Sequence, residues 1–177
     1  MDHGRRSELR SRFDIDDLIV SLSTAFADVA RLPAMGPLFD ERHNASWSVS
    51  LSPDGARTLY VGGKADASDR TDMPTQVFLG ALPMLAHPDA RRVLVVGLGS
   101  GVTAGRVAAL GVDRVDVVEM EEAVVRASAH FGDVNHDVVK NERVRLRLMD
   151  ARSYLMSTRE KYDLIISEPS NPLMAGV

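Results

Sequence analysis

"RRVLVVGLGSG", Arg91 to Gly101, is an apolar strand that runs straight into three glycines at alternate positions. A helix follows over Val102–Leu110, so the stretch reads strand, tight turn, helix. The same alternation continues downstream. "RVDVVEM" (114–120) is a second strand, "EEAVVRASAHF" (121–131) a second helix, and "RVRLRLMD" (143–150) a third strand. "ARSYLMSTRE" (151–160) is a third helix and "YDLIISE" (162–168) a fourth strand. Strands alternating with helices of this length build a parallel sheet through right-handed crossovers, with helices on both faces. The expectation is an α/β fold, a doubly wound Rossmann-like sheet, in a domain spanning 91–177.

Working outward, "ASWSVSLSPDGARTLYVGG" (45–63) carries Trp47, Val49 and Leu51 alternating with serines, a strand with one wet face. "SPDG" turns the chain and "RTLYV" returns it, which makes a small antiparallel β-hairpin unit. "KADASDRTDMP" (64–74) is polar and ends in proline, so a loop is expected there, then a short helix over Thr75–Leu85 and a connector to 90. The hairpin unit and connector thus occupy 45–90. Residues 1–44 form an N-terminal tail and helix. Ile15, Leu18, Ile19, Leu22, Phe26, Val29 and Ala30 fall at helical spacing after the capping residue Asp14, and Pro33 and Gly36 end the run.

Composition narrows the function. The chain has 177 residues, 45% hydrophobic and 26% charged, which is globular composition. With no cysteine it has no disulfide framework, thiolate metal site or cysteine nucleophile. The formal charge of −4, and a basic cluster "RRSELRSR" diluted by acids, argue against a nucleic-acid partner. No apolar run reaches the roughly 18 residues of a membrane span, and acidic residues break the early apolar stretch that a signal peptide would need. A cytoplasmic protein is expected.

In sheets of this kind, ligands bind outside the carboxyl ends of the strands, near the switch point in strand order. The first strand ends in Gly97, Gly99 and Gly101, the second in Glu119, the third in Asp150, and the fourth in Glu168. Glycines let backbone approach a ligand. An acid about 20 residues further on can accept hydrogen bonds from ribose hydroxyls. Val102 stands where a dinucleotide motif has its third glycine, which favours a nucleoside without a pyrophosphate. Asp150 taken alone reads as the N-cap of the helix that follows, but together with Glu119 and the glycines it is expected to meet an adenine amino group. Glu168 ends an apolar strand between that run and two prolines, Pro169 and Pro172, that stiffen its loop.

"LYVGGKADASDRTDMPTQ", "LPMLAHPDARRVLVVGLGSGVTAG", "VDVVEME", "MDAR" and "YDLIISEPSNP" together resemble the spermidine synthase-like aminopropyltransferases, in family order. The likeness is to the bacterial branch whose members are often fused to a membrane transporter-like region; none is expected in this chain. The resemblance implies a sheet of the S-adenosylmethionine-dependent methyltransferase type. It implies aminopropyl transfer from decarboxylated S-adenosylmethionine to a small-molecule amine, in polyamine biosynthesis, with no metal. Gly97, Gly99, Ser100 and Gly101 would line the nucleoside, Glu119 would hold the ribose, and Asp150 with Ala151 the adenine. Glu168 falls where the family has an aspartate that accepts the amine proton. Gln76 and Asn171 fall at substrate-binding positions.

Several positions depart from the family pattern. Ser100 replaces an aspartate that meets ligand amines, Asn171 replaces a second aspartate, and Pro74-Thr75 replace a tyrosine–histidine pair. Two alternatives follow: methyl transfer from intact S-adenosylmethionine, or a catalytically inert nucleoside-binding module. The family's sheet continues with further strands, so the chain reads as C-terminally truncated and as a partial sheet. An uncovered sheet edge would favour self-association into a homo-oligomer.

Overall fold

A computed structural model of the chain describes residues 36–38 (backbone only), 47–61 and 63–167. The helix expected from Asp14, and the site candidates Glu168 and Asn171, lie outside these residues. Strands β1 (Gly36–Leu38), β2 (Trp47–Leu51), β3 (Arg57–Val61) and β4 (Lys64–Ser68) form an antiparallel sheet in that order. Helix α1 (Met73–Ala86) leads to β5 (Arg92–Val96), α2 (Val102–Ala109), β6 (Arg114–Glu119) and α3 (Glu122–Ser128). Strand β7 (Val144–Leu148), helix α4 (Ala151–Ser157) and strand β8 (Leu164–Ser167) complete the described chain. The last four strands are parallel, in the order β7-β6-β5-β8.

That order makes a doubly wound sheet. The chain steps outward from β5 to β7, then crosses back to the free side of β5, so the switch point lies between β5 and β8. The two-residue period of the strands divides their side chains between the faces. Val93, Val95, Val115 and Val117 pack in one cluster with Ala104 and Val107 of α2, Val124 and Ala127 of α3, and Phe131. Leu94 and Val118 face the other way, toward Tyr154 of α4. The first cluster also contains Val49, Leu59 and Ala67, so the small sheet shares the core of the parallel sheet.

The small sheet is larger than the expected hairpin. The hairpin is β2 and β3, but residues 64–74, expected as a loop, hold strand β4 and the start of α1. Gly63, at φ +78, lets the chain reverse tightly enough for β4 to pair with β3. Lys64, Ala65 and Asp66 are exposed, so the strand lacks the apolar alternation that would have marked it. Leu59 pairs with Ala67 and Tyr60 with Ala65, which leaves Asp66 as the extra residue of a β-bulge.

Arg57 ties the two sheets together. Its Nε donates to Asp69 Oδ2 at 2.6 Å, and its two terminal nitrogens donate to the two oxygens of Asp133 at 2.7 Å each. Its guanidinium also reaches the His130 carbonyl at 2.6 Å and stands 5.6 Å from the Phe131 ring centre. The paired carboxylates hold the guanidinium protonated even more firmly than usual, Asp133 foremost.

Close packing on α2 leaves little freedom in sequence. A methyl group at Gly105 would fall on the Asn135 carbonyl, and one at Gly80 of α1 would lie 2.8 Å from the Thr103 carbonyl. Gly105→Ala is therefore expected to destabilise the fold by about 1–3 kcal/mol, measured by urea denaturation. An unchanged midpoint would show that the 135 turn yields freely. No helix among the described residues is long and apolar enough to cross a membrane.

Candidate active site

The carboxyl end of β5 is a turn in which three glycines, Gly97, Gly99 and Gly101, take the positive φ that favours glycine. Gly97 has φ +87 with nothing within 4 Å of a would-be Cβ, so the space above it is open. Gly101, at φ +85, caps α2 where a Cβ would meet Val138 Cγ1 at 2.6 Å. The turn is held by backbone bonds from Gly97 to the Val118 carbonyl and from Gly101 to the Leu98 carbonyl, both at 2.8 Å.

Glu119, at the end of β6, braces this turn. Its Oε2 accepts the Leu98 amide at 2.9 Å, across from β6 to β5. Its Oε1 accepts the amides of Met120 and Glu121 at 2.8 and 2.9 Å. A carboxylate has about four acceptor positions, so one remains open, on Oε2.

Ser100 and Gln76 meet inside the core. Ser100 is fully buried and donates its hydroxyl to Gln76 Oε1. The Gln76 amide nitrogen donates to the Ser68 carbonyl at 2.8 Å and to Asp72 Oδ2 at 3.0 Å. Asp72 Oδ1 accepts from both the amide and the hydroxyl of Ser68. A continuous chain of hydrogen bonds thus runs from β4 through α1 to the glycine turn. Both side chains are spent on it.

Asn135, which the sequence reading did not single out, supports the turn from the other side. It is buried, and its Nδ2 donates to the Ser100 and Ser128 carbonyls at 2.8 Å each. It leads into two residues with positive φ, His136 and Asp137. That reversal is the trace such a support leaves in a sequence, and Asn-His-Asp is too common a polar triplet to reveal it.

Asp150 stands two residues beyond β7 and caps α4, accepting the Ser153 amide at 2.7 Å. That amide, foremost, lowers its pKa. The capping role left open by the sequence is the one the geometry makes; one carboxylate oxygen carries the cap. Ala151 is the first residue of α4 and is half-buried. Gly97, Gly99, Ser100, Gly101 and Glu119 are thus brought together at the ends of β5 and β6. Gln76 joins them from behind, and Asp150 with Ala151 stands at the neighbouring end of β7.

One further carboxylate stands beside the glycine turn. Asp66, the bulge residue of β4, places its Oδ2 3.9 Å from where a Cβ of Gly99 would stand. Desolvation first, then the charges of Glu119 and Asp72, push its carboxyl above the usual range. Among the described residues there is no group of three metal-ligating side chains.

A family model described as the spermine/spermidine synthase domain matches residues 74–176. The polyamine aminopropyltransferase of Methanocaldococcus jannaschii is 30% identical over 121 residues, covering 68% of this chain and 41% of that protein. The polyamine aminopropyltransferase of Pseudomonas syringae pv. tomato is 30% identical over 131 residues, covering 72% and 46%. A solved spermidine synthase in complex with the transition-state analogue AdoDATO shares the fold, with a TM-score of 0.64 at 19% identity over 80% of this chain and 47% of that one. The spermidine synthase of Thermotoga maritima matches with a TM-score of 0.61 at 20% identity, over 77% and 48%. The chain spans less than half the length of each of these relatives.

Proposed function

The chain belongs to the spermine/spermidine synthase domain family, and from that premise we propose that it binds decarboxylated S-adenosylmethionine at the strand ends and moves its aminopropyl group to a small-molecule amine. The observation that carries this reading is Glu119, braced against the glycine turn with one acceptor position free beside the open space at Gly97. A ribose hydroxyl donating to Oε2 would complete that carboxylate. Asp150 and Ala151, at the next strand end, would meet the adenine, with the second oxygen of Asp150 available to its amino group. Ser100, Gln76 and Asn135 contribute indirectly. They fix the turn, so that binding does not have to order it.

The chemistry asks for positioning and a proton acceptor. The amine lone pair forms a bond to the carbon beside the sulfonium, and the carbon–sulfur bond breaks to leave neutral methylthioadenosine. The new ammonium then gives up a proton, for which the proposal assigns Glu168, with Asn171 near the amine. Because the leaving group departs as a neutral thioether, alignment supplies most of the acceleration.

The test is calorimetric. Methylthioadenosine should bind, and Glu119→Ala should weaken it by about 1–3 kcal/mol through loss of a charge-assisted bond and of the brace on Leu98. Far-UV circular dichroism should stay that of a folded chain. Unchanged affinity would remove Glu119 from the site, and methyl transfer from intact S-adenosylmethionine would replace the proposed reaction.

A further inference from the structure

Within this cleft, Asp66 has no task in holding the fold together. Glu119 braces two loops, Ser100 and Gln76 lock onto one another, and Asn135 carries the turn. Asp66, by contrast, makes no side-chain hydrogen bond or ion pair among the described residues. The bulge in β4 sets it out of register with β3 and aims it at Gly99. A bulge beside a binding site is a common way to re-aim a side chain.

A carboxylate so placed, beside the glycine turn and near Glu119, sits in an unfavourable electrostatic position. Although its surface is exposed, surrounding protein partly desolvates it and it feels the carboxylates of Glu119 and Asp72, which is why its proton is held more tightly than usual. A neutral ligand would deepen the desolvation and leave the repulsion in place. A cationic ligand would remove the repulsion. Ser100 carries no charge and faces the core, so the glycine turn itself has no side chain to meet a cation.

We infer that Asp66 is the charge-selecting residue of the cleft, facing the cationic part of a nucleoside bound against Gly97 and Gly99. The inference rests on the nucleoside reading above and deepens it. The site would then prefer a sulfonium- or ammonium-bearing nucleoside to its neutral thioether counterpart, which favours substrate over product.

The experiment compares the 177-residue chain with Asp66→Asn and Asp66→Glu. Each is titrated with decarboxylated S-adenosylmethionine, which is cationic, and with methylthioadenosine, which has a neutral tail. The Asn variant should lose about tenfold in affinity for the cation while methylthioadenosine binding stays within about twofold. The Glu variant should keep the preference. Equal losses for both ligands would make Asp66 a structural residue, and no loss for the cation would remove it from the site; either result overturns the inference. If the parent chain binds neither nucleoside, the nucleoside reading itself fails and the inference falls with it. If it binds both and Asp66→Asn discriminates as well as the parent does, only the role of Asp66 is lost.

Discussion

Glu168→Gln is expected to lower aminopropyl transfer by about 10²–10⁴-fold in any preparation that shows the reaction, with methylthioadenosine binding little changed. Strand β8 ends at Ser167, paired with Val96 at the last position of β5, and the next residue in the chain is Glu168. The switch point between these strands is where a ligand meets both loops. In the proposed reaction Glu168 takes the proton that the amine must lose, and its charge favours the sulfonium over water. Glutamine has nearly the same shape, so the substitution removes the base and the charge with little change in size. Single-turnover rates alongside methylthioadenosine titrations separate the two effects. Transfer at the parent rate would show that Glu168 is not the base.

The second large effect is expected on stability, at Asp116. This residue sits in the middle of β6, fully buried, on the face covered by α4. Its Oδ2 accepts the Tyr162 hydroxyl at 2.9 Å and pairs with Arg114 Nε at 2.9 Å, while its Oδ1 lies 3.8 Å from Arg147 Nε. Tyr162 in turn shares a hydrogen bond with Tyr154. Burial foremost, with these neighbours, raises the pKa of the Tyr162 hydroxyl. Asp116→Ala leaves an arginine and a hydroxyl without this acceptor at a fully buried position of the sheet. Breaking a buried pair from one side costs about 3–5 kcal/mol. Arg114 retains Glu160 at 3.0 Å, so about 3 kcal/mol is expected in urea denaturation. That is a large part of the 5–15 kcal/mol typical of a domain. A loss under about 1 kcal/mol would show that the arginines simply turn out to solvent.

The parallel sheet was legible because β5 and β8 are apolar runs, β6 is apolar between its ends but for Asp116, and β7 alternates apolar residues with arginines, each set apart from the next by a helical stretch. Glu119 was legible because its spacing from the glycines is fixed by one strand–helix–strand unit. Strand β4 was not, since its pairing with β3 rests on backbone bonds that leave no mark on side-chain pattern. Asp66 was hidden for the same reason: a bulge belongs to a pair of strands, and neither sequence alone carries it. The Ser100–Gln76 pair spans 24 residues and brings two separate helical connections together, which only the folded chain does. Asp150 could be read in two ways from sequence, and the structure puts its carboxylate on the helix terminus.

The Arg57–Asp133 pair joins positions 76 residues apart. Closing a loop of that length costs about 4 kcal/mol in chain entropy. An ion pair with one partner as exposed as Asp133, 63% at its side chain, returns only about 1 kcal/mol. The pair is therefore too weak to draw the small sheet in. Docking has to be driven by apolar contact, with Leu59 and Phe131 both entirely sealed from water in the shared core. The guanidinium then closes as a latch on a contact already made. A contact that closes after the transition state acts on how slowly the two sheets come apart rather than on how fast they assemble, and that is the behaviour expected of Arg57.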